Sequence, residues 1–133
     1  MTSGGKNIAP QPIENQLISN KFVEQVLVVG DNRNYCTAII VLSKEPLIQW
    51  LNNNKIEHPD FNDINNIEQV RELIRLEIDK NSTNLARYET IKDFYLTTNV
   101  FTIENDMLTP TLKVIRKVVE EKYKDEINNM YAN

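Results

Sequence analysis

A single cysteine, Cys36, stands among the 133 residues, which excludes an internal disulfide and suits a reducing cytoplasm. It opens an apolar run with no basic neighbour to lower its pKa, so it reads as core packing rather than as a reactive thiol. The only histidine, His58, sits in an Asn- and Pro-rich stretch without a cysteine or second histidine nearby, so no metal ligands are identified. A Ser-His nucleophilic pair has no basis either. No run reaches the about 18 apolar residues that a membrane-spanning helix needs. The opening MTSGGKNIAP lacks the charged-then-apolar layout of a signal peptide. An excess of positive charge is missing as well: 15 Lys and Arg against 19 Asp and Glu give −4, which argues against nucleic acid as a partner. The densest basic stretch, Lys113 to Lys124, is interleaved with Glu120 and Glu121 and reads as a mixed solvent face. Glycine is scarce, and two of the three glycines adjoin at Gly4-Gly5.

What is present is enough for one core. With 41% hydrophobic residues, a chain of this length folds as one domain, residues 1–133. Pro10 and Pro12 open a short helix through about Ser19, with Ile13, Leu17 and Ile18 on its apolar side. Val23 to Val29 and Cys36 to Leu42 are strand-length apolar runs separated by a polar GDNRN loop, which predicts an antiparallel pair. Ser43 is placed to cap a helix with Pro46 in its first turn, running through Trp50 and Leu51. Residues 52–66 read as a loop. Ile67, Val70, Leu73, Ile74, Glu77 and Ile78 recur at helical spacing, and the helix they predict ends near Asn81-Ser82. Phe94 to Thr98 is a third strand, and Val100 to Ile103 and Met107 to Thr109 flank a tight turn at Glu104-Asn105-Asp106. A last helix is expected from about Thr111, burying Val114, Ile115, Val118, Val119, Tyr123, Ile127 and Met130, with Arg116/Glu120 and Lys117/Glu121 paired outside. Trp50 and Tyr88 read as packing residues. The sum is an α+β domain: a small, mostly antiparallel sheet with a short hairpin, covered by helices.

Two segments fit neither core nor simple surface. Ser3-Gly4-Gly5-Lys6-Asn7-Ile8-Ala9-Pro10 places paired glycines just before a helix, where a backbone can pass close to a ligand. Taken alone, it reads equally as a flexible lead into that helix. Leu108-Thr109-Pro110-Thr111-Leu112-Lys113-Val114-Ile115-Arg116 feeds a proline-stiffened turn into the expected last helix. There Thr111 is the cap and Lys113 lies in the first turn, where the helix macrodipole disfavours a cation. That lysine is either indifferent surface or there for a purpose.

Together, SGGKNIAPQPIE and LTPTLKVIR resemble the two signature segments in the C-terminal domain of adenylate-forming enzymes. That superfamily holds acyl-CoA synthetases, luciferases and peptide-synthetase adenylation domains. The wording is most similar to the AMP-forming long-chain fatty acid–CoA ligases, whose segments read GGKNIAP or GGENIAP and LTPTxKxxR. VLVVGDNRNYCTAIIVL and YETIKDFYLTTNVFTIENDMLTPT extend the resemblance over essentially the whole chain. Two features depart from the pattern. The hinge segment would lie before Thr2, and the turn, often Asn-Gly, is Glu104-Asn105-Asp106. The resemblance thus implies a C-terminal lid domain separated from its large N-terminal domain, which would hold the phosphate loop and the fatty acid tunnel.

The resemblance further implies two half-reactions. A carboxylate attacks the α-phosphate of ATP to give an acyl-adenylate and pyrophosphate, and the coenzyme A thiol then displaces AMP. Lys113 matches the catalytic lysine of the first step, a compact cation between two anionic reactants. Gly5, with Gly4 and Ser3, matches the loop lining the pantetheine channel in the second. Asn7 falls where a polar residue faces the adenylate. Lys6 is either a contact to a coenzyme A phosphate or plain surface, and Arg33 sits in a loop where related enzymes sometimes contact the nucleotide end of coenzyme A. Arg116 is expected to pair with Glu120 rather than with substrate. The implied cofactors are ATP, with its magnesium in the large domain, and coenzyme A. The implied partners are that large domain and a fatty acid. The expected location is cytoplasmic, with peripheral membrane association of the parent left open, and the isolated fragment is expected to be inactive. Two alternatives stand beside this reading: a non-catalytic module binding a partner or an acyl-CoA, and the same domain from a synthetase for another carboxylic acid.

Overall fold

The computed structural model describes residues 10–30, 35–58, 60–80 and 91–132. Helix α1 (Pro10–Ile18) leads into β1 (Val23–Val29) and β2 (Cys36–Leu42), then α2 (Lys44–Asn53), a 3₁₀ turn (Phe61–Asn66) and α3 (Glu68–Lys80). Strand β3 (Ile91–Thr97) follows, and α4 (Arg116–Lys122) and α5 (Lys124–Tyr131) end the chain.

The sheet has the order β1-β2-β3. Strands β1 and β2 pair antiparallel, from Val29 opposite Thr37 to Val23 opposite Leu42, as the two apolar runs predict. The α+β architecture is the expected one. The third strand, however, joins β2 in parallel, so the sheet has one ladder of each sense. A parallel return needs a long crossover, and α2, the 3₁₀ turn and α3 supply it. That 3₁₀ turn falls inside the stretch expected to be loop.

Strand β2 is buried at every position, which explains its unbroken apolar run. Its alternate residues face two separate cores. Cys36, Ala38, Ile40 and Leu42 pack beneath α1, α2 and α3, while Ile39 and Val41 meet α4 and α5 on the other side. The register shifts once in each ladder, between Val23 and Gln25 and between Cys36 and Thr37. A shift of this kind turns the strand by one residue, which lets Val23 and Val26, and likewise Ile91 and Phe94, share a face although they stand three apart.

Several local expectations meet competition. Ile13 and Leu17 of α1 are buried, but Ile18 is 42% exposed, because each residue advances the helix by about 100°. Ser43 occupies the N-cap of α2, yet its hydroxyl donates to Glu24 instead of accepting from the helix. The turn at Glu104-Asn105-Asp106 forms, with Asp106 at φ 66° and the Asn105 carboxamide accepting the N–H groups of Thr102 and Met107. Its flanks meet at the Thr102 carbonyl, which accepts the N–H groups of Met107 and Leu108 at 3.1 and 3.0 Å, while the bridge partner of Leu108 is Val114.

The last helix is corrected most. It begins at Arg116 rather than Thr111, because residues 109–113 are folded into a second turn. It also bends at Tyr123, where φ is −106°, and so divides into α4 and α5. Arg116 does not take up the predicted partner on its own helix. Its guanidinium donates to Glu14 Oε1 at 2.6 Å and to the Val28 carbonyl at 3.1 Å, while the Val28 N–H donates to Glu14 Oε2 at 2.7 Å. One carboxylate and one guanidinium thus bind α1, β1 and α4 together. Glu14→Ala should lower the unfolding free energy of the chain by about 2 kcal/mol, since it leaves a backbone N–H and a guanidinium without their acceptor. A loss below about 0.5 kcal/mol in urea melts, the size of an ordinary surface change, would show that water replaces the carboxylate at no cost.

A smaller clasp joins α3 to the turn after α1. The Asn20 side chain donates to Glu77 at 2.6 Å and accepts the Phe22 N–H at 2.9 Å, and Lys80 donates to the same carboxylate. Burial works against the charge on Glu77, but the Asn20 amide and the Lys80 ammonium outweigh it and hold the pKa below the ordinary glutamate value. A carboxyl so depressed stabilises the fold fully above its unfolded pKa, and that share is lost as the pH falls through the folded one. Asn20→Ala should therefore cost about 1–2 kcal/mol at pH 7 and progressively less on acidification. A cost that does not change with pH would refute the linkage.

Candidate functional site

Lys113 is held in a hairpin built almost wholly from backbone bonds. The Leu108–Val114 bridge and the bond from the Ile115 N–H to the Met107 carbonyl, 2.8 Å, form its stem. Pro110 opens the turn above it, its fixed φ suiting that position. The Leu112 N–H donates to the Thr109 carbonyl at 2.8 Å, and the Thr109 N–H donates to the Lys113 carbonyl at 2.8 Å. Leu112 itself lies at φ 65°. A turn followed by one left-handed residue is the geometry of a three-residue hairpin loop, in which glycine usually takes the left-handed place. Leucine there costs about 1 kcal/mol.

The lysine is therefore not in a first helical turn, as its spacing predicts, but three positions before α4 begins. Its side chain is exposed, and among the described residues no carboxylate pairs with it. It lines a groove of about 510 Å³. Gln11, Glu14, Asn15 and Ile18 of α1 form one wall, Gln25 and Val26 of β1 the floor, and Leu108, Leu112 and Val114 the other wall. Arg116 also reaches this groove, but Glu14 and Val28 engage its guanidinium. The Gln25 carboxamide is engaged too: it accepts the Phe101 N–H at 2.6 Å and donates to the Phe101 carbonyl at 2.9 Å, as a neighbouring strand would. Among the described residues the groove thus has one free ammonium, that of Lys113, which can meet an anionic group.

The other site residues expected from sequence, Ser3, Gly4, Gly5, Lys6, Asn7 and Arg33, lie outside the described residues, as does Tyr88. The helix that follows the glycine segment does line the Lys113 groove, through Gln11 and Glu14. The stretch containing Arg33 is flanked by Val29 and Tyr35, whose carbonyls lie 3.0 and 2.8 Å from the Tyr131 hydroxyl. The Tyr35 and Tyr131 rings stack at 4.8 Å, and the Tyr35 hydroxyl donates to the Met130 carbonyl. Sequence reasoning missed Thr109, Gln25, Glu14 and Tyr131. Thr109 stood inside the second motif and was open to discovery there, whereas each of the other three has a partner 76 to 102 residues away that no local signal announces.

Cys36 is buried in the core. His58 lies 3.3 Å from Asn52, and among the described residues no group of three or more His, Cys, Asp or Glu is arranged to hold a metal ion. No helix among them is long and apolar enough to cross a membrane.

The chain is 32% identical over 132 residues to the long-chain-fatty-acid–CoA ligase FadD15 of Mycobacterium tuberculosis, covering 98% of this chain and 22% of that one. It is also 32% identical over 130 residues to the peroxisomal long chain acyl-CoA synthetase 6 of Arabidopsis thaliana, covering 96% and 18%. It therefore spans about a fifth of the length of these curated relatives. Among solved structures, the adenylation–carrier (A-PCP) didomain of carboxylic acid reductase from Segniliparus rugosus, in complex with AMP, superposes with a TM-score of 0.72 at 25% identity, covering 94% of this chain and 16% of that one. The family model for the AMP-binding enzyme C-terminal domain matches residues 1–133, so the chain, from its glycine segment to its last helix, belongs to that family.

Proposed function

We propose that the chain is the mobile C-terminal domain of an ATP-dependent, AMP-forming long-chain fatty acid–CoA ligase, and that Lys113 is its catalytic lysine. One observation carries the reading: among the described residues, a stiff hairpin presents an unpaired ammonium at the rim of a groove whose other cation is already engaged. A fatty acid carboxylate and the α-phosphate of ATP repel one another. A compact cation between them offsets that repulsion and stabilises charge on the phosphorus oxygens as the carboxylate oxygen bonds to phosphorus and pyrophosphate departs. No proton changes hands in that step, so a lysine suffices without a histidine or a carboxylate pair. In the second step the sulfur of coenzyme A bonds to the acyl carbon and AMP leaves. Here the domain would offer Ser3, Gly4 and Gly5 as the wall of the pantetheine channel, Asn7 toward the adenylate, and Lys6 and Arg33 toward coenzyme A. The relatives named as long-chain ligases support fatty acid as the substrate class, and the cytoplasm, or the membrane surface from which such acids partition, is the proposed place of work.

The similarity to a reductase adenylation–carrier didomain favours a second reading, in which the accepting thiol is carried by a protein rather than by coenzyme A. Supplying purified enzyme and its acyl-adenylate with either acceptor separates the two.

In the full-length enzyme, Lys113→Ala should slow adenylate formation by about a hundredfold or more, while thioester formation from supplied acyl-adenylate proceeds. Gly5→Leu should do the reverse, with normal pyrophosphate release and poor transfer to coenzyme A. If both folded variants lose both half-reactions, the assignment of one segment to each step is wrong. The isolated chain should fold cooperatively yet make no acyl-CoA, and measurable turnover by it would refute the reading as a domain of a larger enzyme.

A further inference from the structure

The bulge that closes the Lys113 hairpin leaves one backbone group without its usual partner. In a regular ladder the Lys113 N–H would donate to the Thr109 carbonyl, but the Leu112 N–H already occupies that acceptor. The Lys113 N–H donates instead to the Thr109 hydroxyl oxygen at 3.1 Å. Thr109 therefore binds residues 112–113 through its carbonyl, its N–H and its side chain together. Its hydroxyl also lies 3.0 Å from that of Thr111.

These bonds work against a local strain. Leu112 sits at φ 65°, a conformation that leucine disfavours, and 67% of it is exposed, so little packing holds it there. Above the stem, the hydrogen bonds of Thr109, with the fixed φ of Pro110, hold the turn closed. We propose that Thr109 is a positioning residue for Lys113: its hydroxyl captures the lysine's own amide, holds Leu112 left-handed and fixes the direction in which the lysine side chain leaves the hairpin. This rests on the reading of Lys113 as the adenylation cation. A misplacement of about 1 Å in a charge of that kind costs up to about a hundredfold in rate.

The test uses the full-length enzyme, with hydrogen exchange of a peptide spanning residues 109–115 measured beside the two half-reactions. Thr109→Val keeps the shape and removes the hydroxyl. It should speed exchange in that peptide and slow adenylate formation about 10- to 100-fold, while transfer from supplied acyl-adenylate to coenzyme A keeps its parental rate. Thr109→Ser should restore both measurements. Thr109→Val combined with Leu112→Gly should regain most of the lost rate, because glycine takes the left-handed place without strain. Unchanged exchange in Thr109→Val overturns the clamp. Accelerated exchange with adenylate formed at the parental rate overturns its link to the lysine. A loss that glycine at 112 does not relieve places the hydroxyl on the substrate and overturns positioning, and an equal fall in both half-reactions reduces Thr109 to general stability. Lys113→Ala run in parallel judges the underlying reading separately, since the exchange result does not depend on activity.

Discussion

The two oxygens of the Glu14 carboxylate reach different parts of the chain, and the groove takes its shape from where they go. One accepts the N–H of Val28 in β1; the other accepts the guanidinium of Arg116, whose remaining arm returns to the carbonyl of the same Val28. Residues 14, 28 and 116 thus close a ring of charge-assisted bonds, the stronger kind, with Glu14 only 14% exposed and Arg116 36% exposed. The ring joins the helix that follows the glycine segment to the helix that follows the lysine hairpin. Lys113 stands three positions before Arg116, so its place relative to α1 is inherited from this contact.

The same contact answers a problem posed by the sheet. Among the described residues the sheet has three strands, and both outer ones expose backbone groups that could recruit another chain. On β1, Glu14 and Arg116 occupy both polar groups of Val28. On β3, Arg75 donates to the Ile91 carbonyl, Arg71 to the Phe94 carbonyl and Asn65 to the Leu96 carbonyl, while Asp93 accepts the Phe94 N–H. Arg71 and Arg75 also lie 4.2 and 4.9 Å over the Phe94 ring. Side chains from neighbouring helices thus stand in for missing strands. A small sheet protected in this way can meet another protein surface without adding strands to itself.

The sequence made the β1–β2 pair and α3 legible because their signals are local: unbroken β-branched runs for a strand buried on both faces, and three- and four-residue spacing for a helix buried on one. It misplaced the start of α4 for an equally physical reason. Val114, Ile115, Val118 and Val119 carry helical spacing, and Thr111 resembles an N-cap, but the Thr109-Pro110-Thr111-Leu112 turn takes those residues first. The spacing of Arg116 and Glu120 suggested a pair worth a few tenths of a kcal/mol. A part-buried carboxylate 102 residues away, already fixed by a backbone N–H, is the better acceptor. The parallel sense of β3 had no local signal, since an apolar run looks the same in either direction. For the candidate groove, the motif words singled out Lys113, whereas the residues that shape the groove beside it, Glu14, Gln25 and Arg116, were scattered along the chain.

The correction at α4 changes the electrostatic argument for Lys113. In the first turn of a helix, a lysine would sit at the positive end of the macrodipole, where its charge is disfavoured. Three positions earlier, on a hairpin, it escapes most of that penalty, because the field falls off within about one turn. The hairpin also exchanges one kind of rigidity for another. A helix would fix the lysine by its own backbone bonds but aim it along the helix face. A loop closed by Pro110, Thr109 and a left-handed Leu112 aims it outward, at the rim of the groove, where an anion brought by a second body can arrive. An exposed cation on such a stem keeps its hydration until an anion replaces it.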